Sequence, residues 1–389
     1  MTNKQAIYLD NNATTRPYPS VLRVMSDTAS TYYGNPSSSH SLGREAYKVL
    51  ETCRQEIGKC LGIPKPQSQL VFTSGATESN NIVLRGRVAA SCGNRKPHVI
   101  CSSIEHASVY VTLKDMEASG VCSLTLVGVD KFGRVSLSDL EKAIRPKQTV
   151  LVAIILGHNE IGTIQDSKGI INVCRQYKGV HVHFDLTQMV GRYPLNFNDM
   201  GMHSASFSGH KFHGPRGVGG LYLKNPSTIN TPLTGGMQEH DIRAGTENLP
   251  AIAGMHVALR ESLTNISSKI RETETKRDWL QEQLCAAFPH TKVNGVPPGD
   301  GPMFSRRLYN TLSISLGNTN SQHIMDNLKR QGVCISLGSA CSKTNGSKTL
   351  QQIGLSKALQ QGTFRISLST DTTWESCRTF LKVLTRLIA

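Results

Sequence analysis

Ser206-Phe207-Ser208-Gly209-His210-Lys211-Phe212-His213-Gly214-Pro215-Arg216 runs from the end of an apolar strand pattern into a loop. That loop carries a primary amine, two imidazoles and two glycines. An amine at a strand end, flanked by hydroxyls, can condense with an aldehyde while its neighbours hold an anion. A basic surface loop would look much the same, and the run alone leaves both readings open. The strand in front of it belongs to a series. From about residue 69 to 224, short β-branched runs alternate with amphipathic segments. The runs are Leu70–Thr73, His98–Cys101, Ser123–Val127, Thr149–Leu156, Val180–Phe184, Ser204–Phe207 and Val218–Leu223; the segments between them include 79–90, 107–118 and 168–177. Near-continuous apolar strands with helical crossovers predict an α/β fold, a mainly parallel seven-stranded sheet covered on both faces. Ligands of such sheets bind beyond the carboxyl ends of the strands.

The pattern changes after Asn248. A helical stretch is predicted from Ile252 to about Phe288, then strands near 312–314, 333–335 and 364–368. A last helix covers 374–388, with Trp374, Cys377, Leu381, Leu384 and Ile388 on one face. The expected organisation is a large domain over 16–255 and a small α+β domain built from 1–15 and 256–389. The chain has 389 residues, 38% of them hydrophobic, with no low-complexity tract and no apolar run long enough to span a bilayer. The first residues show neither signal-peptide nor transit-peptide pattern, so a cytoplasmic protein is expected. Ten cysteines without a Cys-x-x-Cys pair read as packing residues of a reducing compartment, not as a disulfide framework or a metal site. The net charge of +15 is spread along the chain, with no basic block, interleaved aromatics or nucleic-acid motif. It predicts attraction to acidic partners or substrates, not direct nucleic-acid binding.

Four strand-end loops carry chemistry. Ser74-Gly75-Ala76-Thr77-Glu78 turns into a helix, where Thr77 and free backbone N–H groups form an anion cradle. No Gly-Lys-Ser/Thr follows, so it is not a Walker A loop. Glu105-His106-Ala107-Ser108 offers an imidazole that could equally be a helix cap. Asp185-Leu186-Thr187-Gln188 places a carboxylate at a buried strand end, where it needs a cation or donor. A pyridinium nitrogen would serve, with Gln188 reaching a second atom of the same ring. Lys211 beside a cationic ring would lose basicity and become a competent imine former. Cradle, imidazole, carboxylate and amine together are what a pyridoxal 5'-phosphate (PLP) enzyme requires.

Further motifs sharpen this. The runs 8–15 (Tyr-Leu-Asp-Asn-Asn-Ala-Thr-Thr), 34–38 (Gly-Asn-Pro-Ser-Ser), 73–81, Glu105-His106, Asn159-Glu160-Ile161-Gly162, 208–211, 243–248 (Arg-Ala-Gly-Thr-Glu-Asn) and Gly338-Ser339-Ala340-Cys341 occur in order along the chain. In these motifs the sequence resembles the cysteine desulfurases, class V aminotransferase-like PLP enzymes, from about residue 6 to the end. The resemblance implies a fold-type I homodimer with active sites at the subunit interface. It implies Lys211 as the imine lysine, His106 stacked on the cofactor ring, Asp185 on the ring nitrogen and Gln188 on the ring hydroxyl. Ala76, Thr77, Ser208 and His210 would hold the phosphate, together with Thr246 from the other subunit. Asn159, which also borders the cofactor, and Arg365 would bind the substrate carboxylate; a planar guanidinium suits a bidentate carboxylate.

Cys341 selects the reaction. It stands in a small-residue loop after a strand, which suits a nucleophilic thiolate, whereas Cys334 lies on the strand itself. By resemblance, L-cysteine is converted to L-alanine, with the sulfur held as a persulfide on Cys341 for an acceptor: an iron–sulfur scaffold, a tRNA-thiolation enzyme or a carrier protein. Iron–sulfur cluster biosynthesis is the expected context. Selenocysteine lyase, with a similar site, is the near alternative, and a non-catalytic sulfur-carrier binding partner the more distant one. The sequence departs from the usual pattern at His158, where a first Asn is common, at Leu186, where a small residue is common, and in the loop 342–348. It also ends at Ala389, soon after its last helix, without the longer tail of the scaffold-dedicated enzymes, which puts delivery to that scaffold in doubt.

Overall fold

Each apolar run of the sequence is a strand in the computed structural model, which describes residues 6–297 except 92 and 94, 307–337 except 318, and 347–388. The strands are β1 (Ile7–Tyr8), β2 (Leu70–Thr73), β3 (His98–Ser102), β4 (Ser123–Val127), β5 (Thr149–Ile155), β6 (His181–Asp185), β7 (Ser204–Ser208), β8 (Gly219–Leu223), β9 (Thr291–Asn294), β10 (Thr311–Leu316), β11 (Val333–Cys334), β12 (Ser336–Leu337) and β13 (Thr363–Ser367). β2 to β8 form a seven-stranded sheet in the order β2-β8-β7-β6-β5-β3-β4. β3 to β7 run parallel to one another in this sheet. β8 alone runs against both its neighbours. The connection from β7 to β8 holds only a three-residue 3-10 turn, too short for the helical crossover that a parallel return needs.

Alternation along the strands feeds two cores. Val71, Val99, Cys101, Leu151, Ala153 and Leu221 face one side, where the helices Ala76–Ala89 and Ala107–Ala118 pack. Phe72, Ile100, Val152, Phe184, Ala205 and Phe207 face the other, under the helices Ser41–Leu61, Ser167–Arg175 and Leu249–Leu263. A third core joins Leu9, Phe364 and Ile366 to Leu280, Leu284 and the buried face of the helix Trp374–Ile388. It lies under the antiparallel sheet β12-β13-β10-β9, beside the parallel pair β1-β11. No helix of the described residues is long and apolar enough to cross a membrane.

Two expectations need correction. The stretch from Ile252 to Phe288 is not one helix: Leu249–Leu263 and Ile266–Ala287 are separated by an extended Thr264 and by Asn265 in the left-handed region, φ 54°. Asn tolerates that conformation, so a helical pattern can break there without a glycine or proline to mark it. The strand expected near 333–335 is likewise two short strands, β11 over Val333–Cys334 and β12 over Ser336–Leu337, which join different sheets.

β2 leads into the cradle turn and is held by a buried ion pair. Arg54 on the helix Ser41–Leu61 meets Glu239 at 2.7 and 2.8 Å. Arg54 also donates to Leu70 O (2.7 Å), and Glu239 accepts from the Phe72 N–H (2.6 Å). Glu239, His240 and Asp241 all have positive φ, 48°, 59° and 63°. Left-handed backbone costs about 1–2 kcal/mol per residue, and the ion pair holds the turn against that cost. Glu239→Ala leaves the buried guanidinium only Glu51 (2.9 Å) and Leu70 O as partners, so unfolding free energy falls by about 3 kcal/mol in urea titration, the low end of the cost of breaking a buried pair. The volume-matched pair Arg54→Met with Glu239→Leu recovers most of that loss.

Candidate active site

All four chemical loops, and the Asn159 loop, leave the carboxyl ends of parallel strands on one rim of the sheet. The cradle is built on Gly75, whose φ of 151° and ψ of 177° suit only glycine. A Cβ there would lie 3.2 Å from Ser208 Oγ. This turn aims the start of the helix Ala76–Ala89 at β7, and the Ala76 N–H donates to Ser208 Oγ at 2.7 Å. Ala76, Thr77, Ser208 and His210 line one cavity of about 390 Å³, which Arg216 also borders. The four residues expected to hold a phosphate are therefore together, at a helix N-terminus with a cation beside it. Burial pushes the His210 imidazole down to about 4, so it stays neutral there.

Asp185 ends β6 and is buried, flanked in the sheet by Ile155 and Ser206. Its carboxylate accepts from the Thr187 N–H (3.0 Å) and from Asn80 Nδ2 (3.1 Å). Gln188 donates to Asn12 O at 3.0 Å, while its Oε1 is buried with no partner. Ser206 Oγ and Thr187 Oγ1 are also buried and unpartnered. His106 is a helix cap: it precedes the helix Ala107–Ala118, and its Nδ1 accepts from the Ser108 N–H at 3.2 Å. Burial lowers its basicity.

Lys211 Nζ donates to Asn12 O (2.7 Å) and Ala13 O (2.8 Å). Its pKa is lowered from 10.5 to about 8, first by burial and then by the Arg192 and Arg365 charges. The amine is thus activated by the protein itself, with no cationic ring required. Arg192 was not singled out by the sequence. It is buried and donates to Lys211 O, Asn11 O and Asn12 Oδ1. No local pattern marks it, because its partners lie far along the chain.

Arg365 projects from β13 and pairs with Asp10 at 2.6 Å. It is 1% exposed, and its Nε is buried without a partner. Its Nη1 donates to Asn159 O at 3.4 Å, which brings the two residues expected to bind substrate side by side. His158 fills its family-atypical position as a buried neutral ring, pushed down to about 4 by desolvation and hydrogen-bonded to Ile104 O. Leu186 is fully buried in the large core. Neighbouring Glu160 has its carboxyl raised by burial to about 7, and Ser347 Oγ donates to it at 2.5 Å. Thr246 lines a different cavity, with Arg243 and Asn248. Cys341 and the loop residues 342–346 lie outside the described residues. Among the described residues, no group of His, Cys, Asp and Glu is placed to hold a metal ion.

These groups fit PLP. Gln188 offers an unused acceptor, Asp185 a negative charge, Lys211 an amine of reduced basicity and Gly75 a cradle that a side chain would obstruct. A family model described as aminotransferase class-V matches residues 7–380. Cysteine desulfurase IscS of Dictyoglomus turgidum is 35% identical over 387 residues, covering 99% of this chain and 95% of its own. A cysteine desulfurase of Nostoc is 34% identical over 384 residues, covering 98% and 92%. Among solved structures, a NifS-like protein superimposes with TM-score 0.90 at 34% identity, over 99% of both chains. The NifS-like protein from Rickettsia africae gives 0.86 at 30% identity, again over 99% of both. SspA in complex with cysteine gives 0.79 at 30% identity, over 94% of this chain and 99% of its own.

The depressed Lys211 pKa has a direct readout. In cofactor-free protein the amine is protonated and unreactive below about pH 8 and free above it. Aldehyde capture at Lys211, followed by borohydride trapping and peptide mapping, should rise with a midpoint near pH 8, well below that of surface lysines.

Proposed function

From the premise that this chain belongs to the class-V aminotransferase family, as one of its cysteine desulfurases, we propose the following roles for its residues. The observation that carries them is the meeting, on one sheet rim, of an anion cradle, a buried carboxylate, a low-pKa amine and a buried guanidinium. The enzyme uses PLP, which supplies an electron sink when bound. Lys211 would attach it, Asp185 would face its ring nitrogen, Gln188 its ring hydroxyl, and His106 would stack on the ring with Asn159 at its border. Ala76, Thr77, Ser208 and His210 would hold its phosphate, together with the partner subunit's Thr246.

L-cysteine is the substrate. Arg365 has an unpartnered Nε to offer the substrate carboxylate, and Asn159 is hydrogen-bonded beside it. Lys211 Nζ, half-deprotonated near pH 8, carries protons between substrate atoms. Cys341 Sγ attacks the substrate sulfur: an S–S bond forms, the C–S bond breaks, and the carbon skeleton leaves as alanine. The persulfide on Cys341 then passes to an acceptor protein, in iron–sulfur cluster assembly or a related sulfur-transfer route.

Three further readings belong to this proposal. A homodimer is supported by the exposed apolar side chains of Leu22 and Tyr33, in and just after the helix Pro19–Thr31, and of Leu42 and Tyr47 on the helix Ser41–Leu61. Thr246 does not line the cradle cavity of its own chain but an adjoining one that shares Ser74 and Gly217 with it, which is compatible with a role in the other subunit. A cytoplasmic location is supported by eight free cysteines among the described residues. The division into a large domain over 16–255 and a small domain over 1–15 and 256–389 is kept with one shift. The helix Leu249–Leu263 buries Val257, Ala258 and Leu259 in the large core, so the second boundary belongs near Asn265.

Purified protein given PLP and cysteine should accumulate a persulfide and release alanine. Cys341→Ala should keep the cofactor absorbance yet form no persulfide; continued desulfuration would move the nucleophile, with Cys334 the next candidate. Lys211→Ala should lose covalent attachment, seen as loss of borohydride-trapped label, and slow alanine release by roughly 10²–10⁴-fold.

A further inference from the structure

Asn80, in the second turn of the helix Ala76–Ala89, is fully buried and touches three groups of the site region. Its Nδ2 lies 3.1 Å from Asp185 Oδ2 and 2.8 Å from Ser108 Oγ, and its Oδ1 lies 2.9 Å from His183 Nε2. His183 Nδ1 meets Ser204 Oγ at 2.8 Å, and His181 Nε2 meets the same hydroxyl at 2.8 Å. Ser108 Oγ in turn meets His106 Nδ1 at 2.8 Å.

Donor and acceptor roles in this chain follow from its ends. An ionised carboxylate only accepts, so the Asn80 atom facing Asp185 is the NH₂, which puts the carbonyl toward His183. His183 Nε2 must then carry a proton. A neutral ring has only one, so Nδ1 accepts from the Ser204 hydroxyl. That hydroxyl has spent its only proton, so His181 Nε2 donates to it. On the other branch Asn80 donates to Ser108, whose hydroxyl proton goes to His106 Nδ1. Burial pushes His183 down to about 4 and His181 well below its usual value, in keeping with neutral rings. Every bond from His181 to Asp185 points the same way, toward the carboxylate, and such aligned chains reinforce one another.

We propose that Asn80 is a positioning residue for the desulfurase reaction, the single amide through which this one-way hydrogen-bond chain holds the Asp185 carboxylate and the Ser108–His106 pair in register. The proposal rests on the cofactor reading above, since Asp185 and His106 act there on PLP.

Asn80→Leu keeps the volume and removes both the donor and the acceptor. PLP uptake by the cofactor-free variant should weaken roughly ten- to a hundredfold, the worth of a hydrogen bond to a charged group. The kcat for alanine release should fall in the same range while KM for cysteine stays within about twofold, because Asn159 and Arg365 are untouched. ¹⁵N NMR of the unaltered chain, needing no variant, should show His183 neutral and protonated on Nε2. An Nδ1-protonated His183 overturns the proposal, as does a folded Asn80→Leu that matches wild type in PLP uptake and kcat. Wild-type protein that takes up no PLP would overturn the cofactor reading and this proposal together; normal uptake by both proteins overturns this proposal alone.

Discussion

The guanidinium of Arg192 is buried where three distant parts of the chain meet. It donates to Asn11 O and Asn12 Oδ1 in the N-terminal segment, to Lys211 O in the loop after β7, and to Asn310 Oδ1 ahead of β10. A buried cation is tolerated only when its donors are met, so these carbonyl oxygens fix one another through it. Asn12 extends the junction. Its backbone oxygen accepts from both Lys211 Nζ and Gln188 Nε2, and its amide reaches Thr311 Oγ1 and Asn159 O. The amine, the Gln188 side chain and the loop of Asn159 are therefore positioned against a single residue of the N-terminal segment.

The same guanidinium shapes the electrostatics. Arg192 and Arg365 both disfavour a charged Lys211, while Asp185 and Asp10 favour it. Burial and the two cations prevail, leaving an amine that is half free near pH 8. The site holds more positive charge than it neutralises, which suits a site that must receive a phosphate and a substrate carboxylate. Asp10 occupies one edge of the Arg365 fork and leaves Nε open. The fork is thus held in place before substrate arrives.

The strands of the large sheet were legible to within a residue or two, because each is a short run of mostly apolar or β-branched residues bounded by polar, glycine-containing loops or helix starts. The orientation of β8 could have been read from the shortness of the loop before it. The break at Asn265 could not, since an αL asparagine leaves the hydrophobic period intact. In the site, the loops at Gly75, His106, Asp185 and Lys211 could be found because each follows a strand end. Asn12, Asn80, His183 and Arg192 were not assigned roles from the sequence. Their meaning lies in partners more than a hundred residues away, such as Asn80 and His183. Of the two sequence readings of His106, the structure shows the helix cap, which fixes the orientation of the ring.

β2 is the last strand on its side of the large sheet, so one row of its backbone groups has no neighbouring strand. An unpaired row of this kind invites another chain to add on. Arg54 takes the outward carbonyl of Leu70 and Glu239 takes the outward N–H of Phe72, each with a charged side chain that no incoming strand could imitate. The pair therefore terminates the sheet. It denies a template for aggregation on the flank nearest the cradle, and it leaves the turn at Gly75 free to serve a ligand.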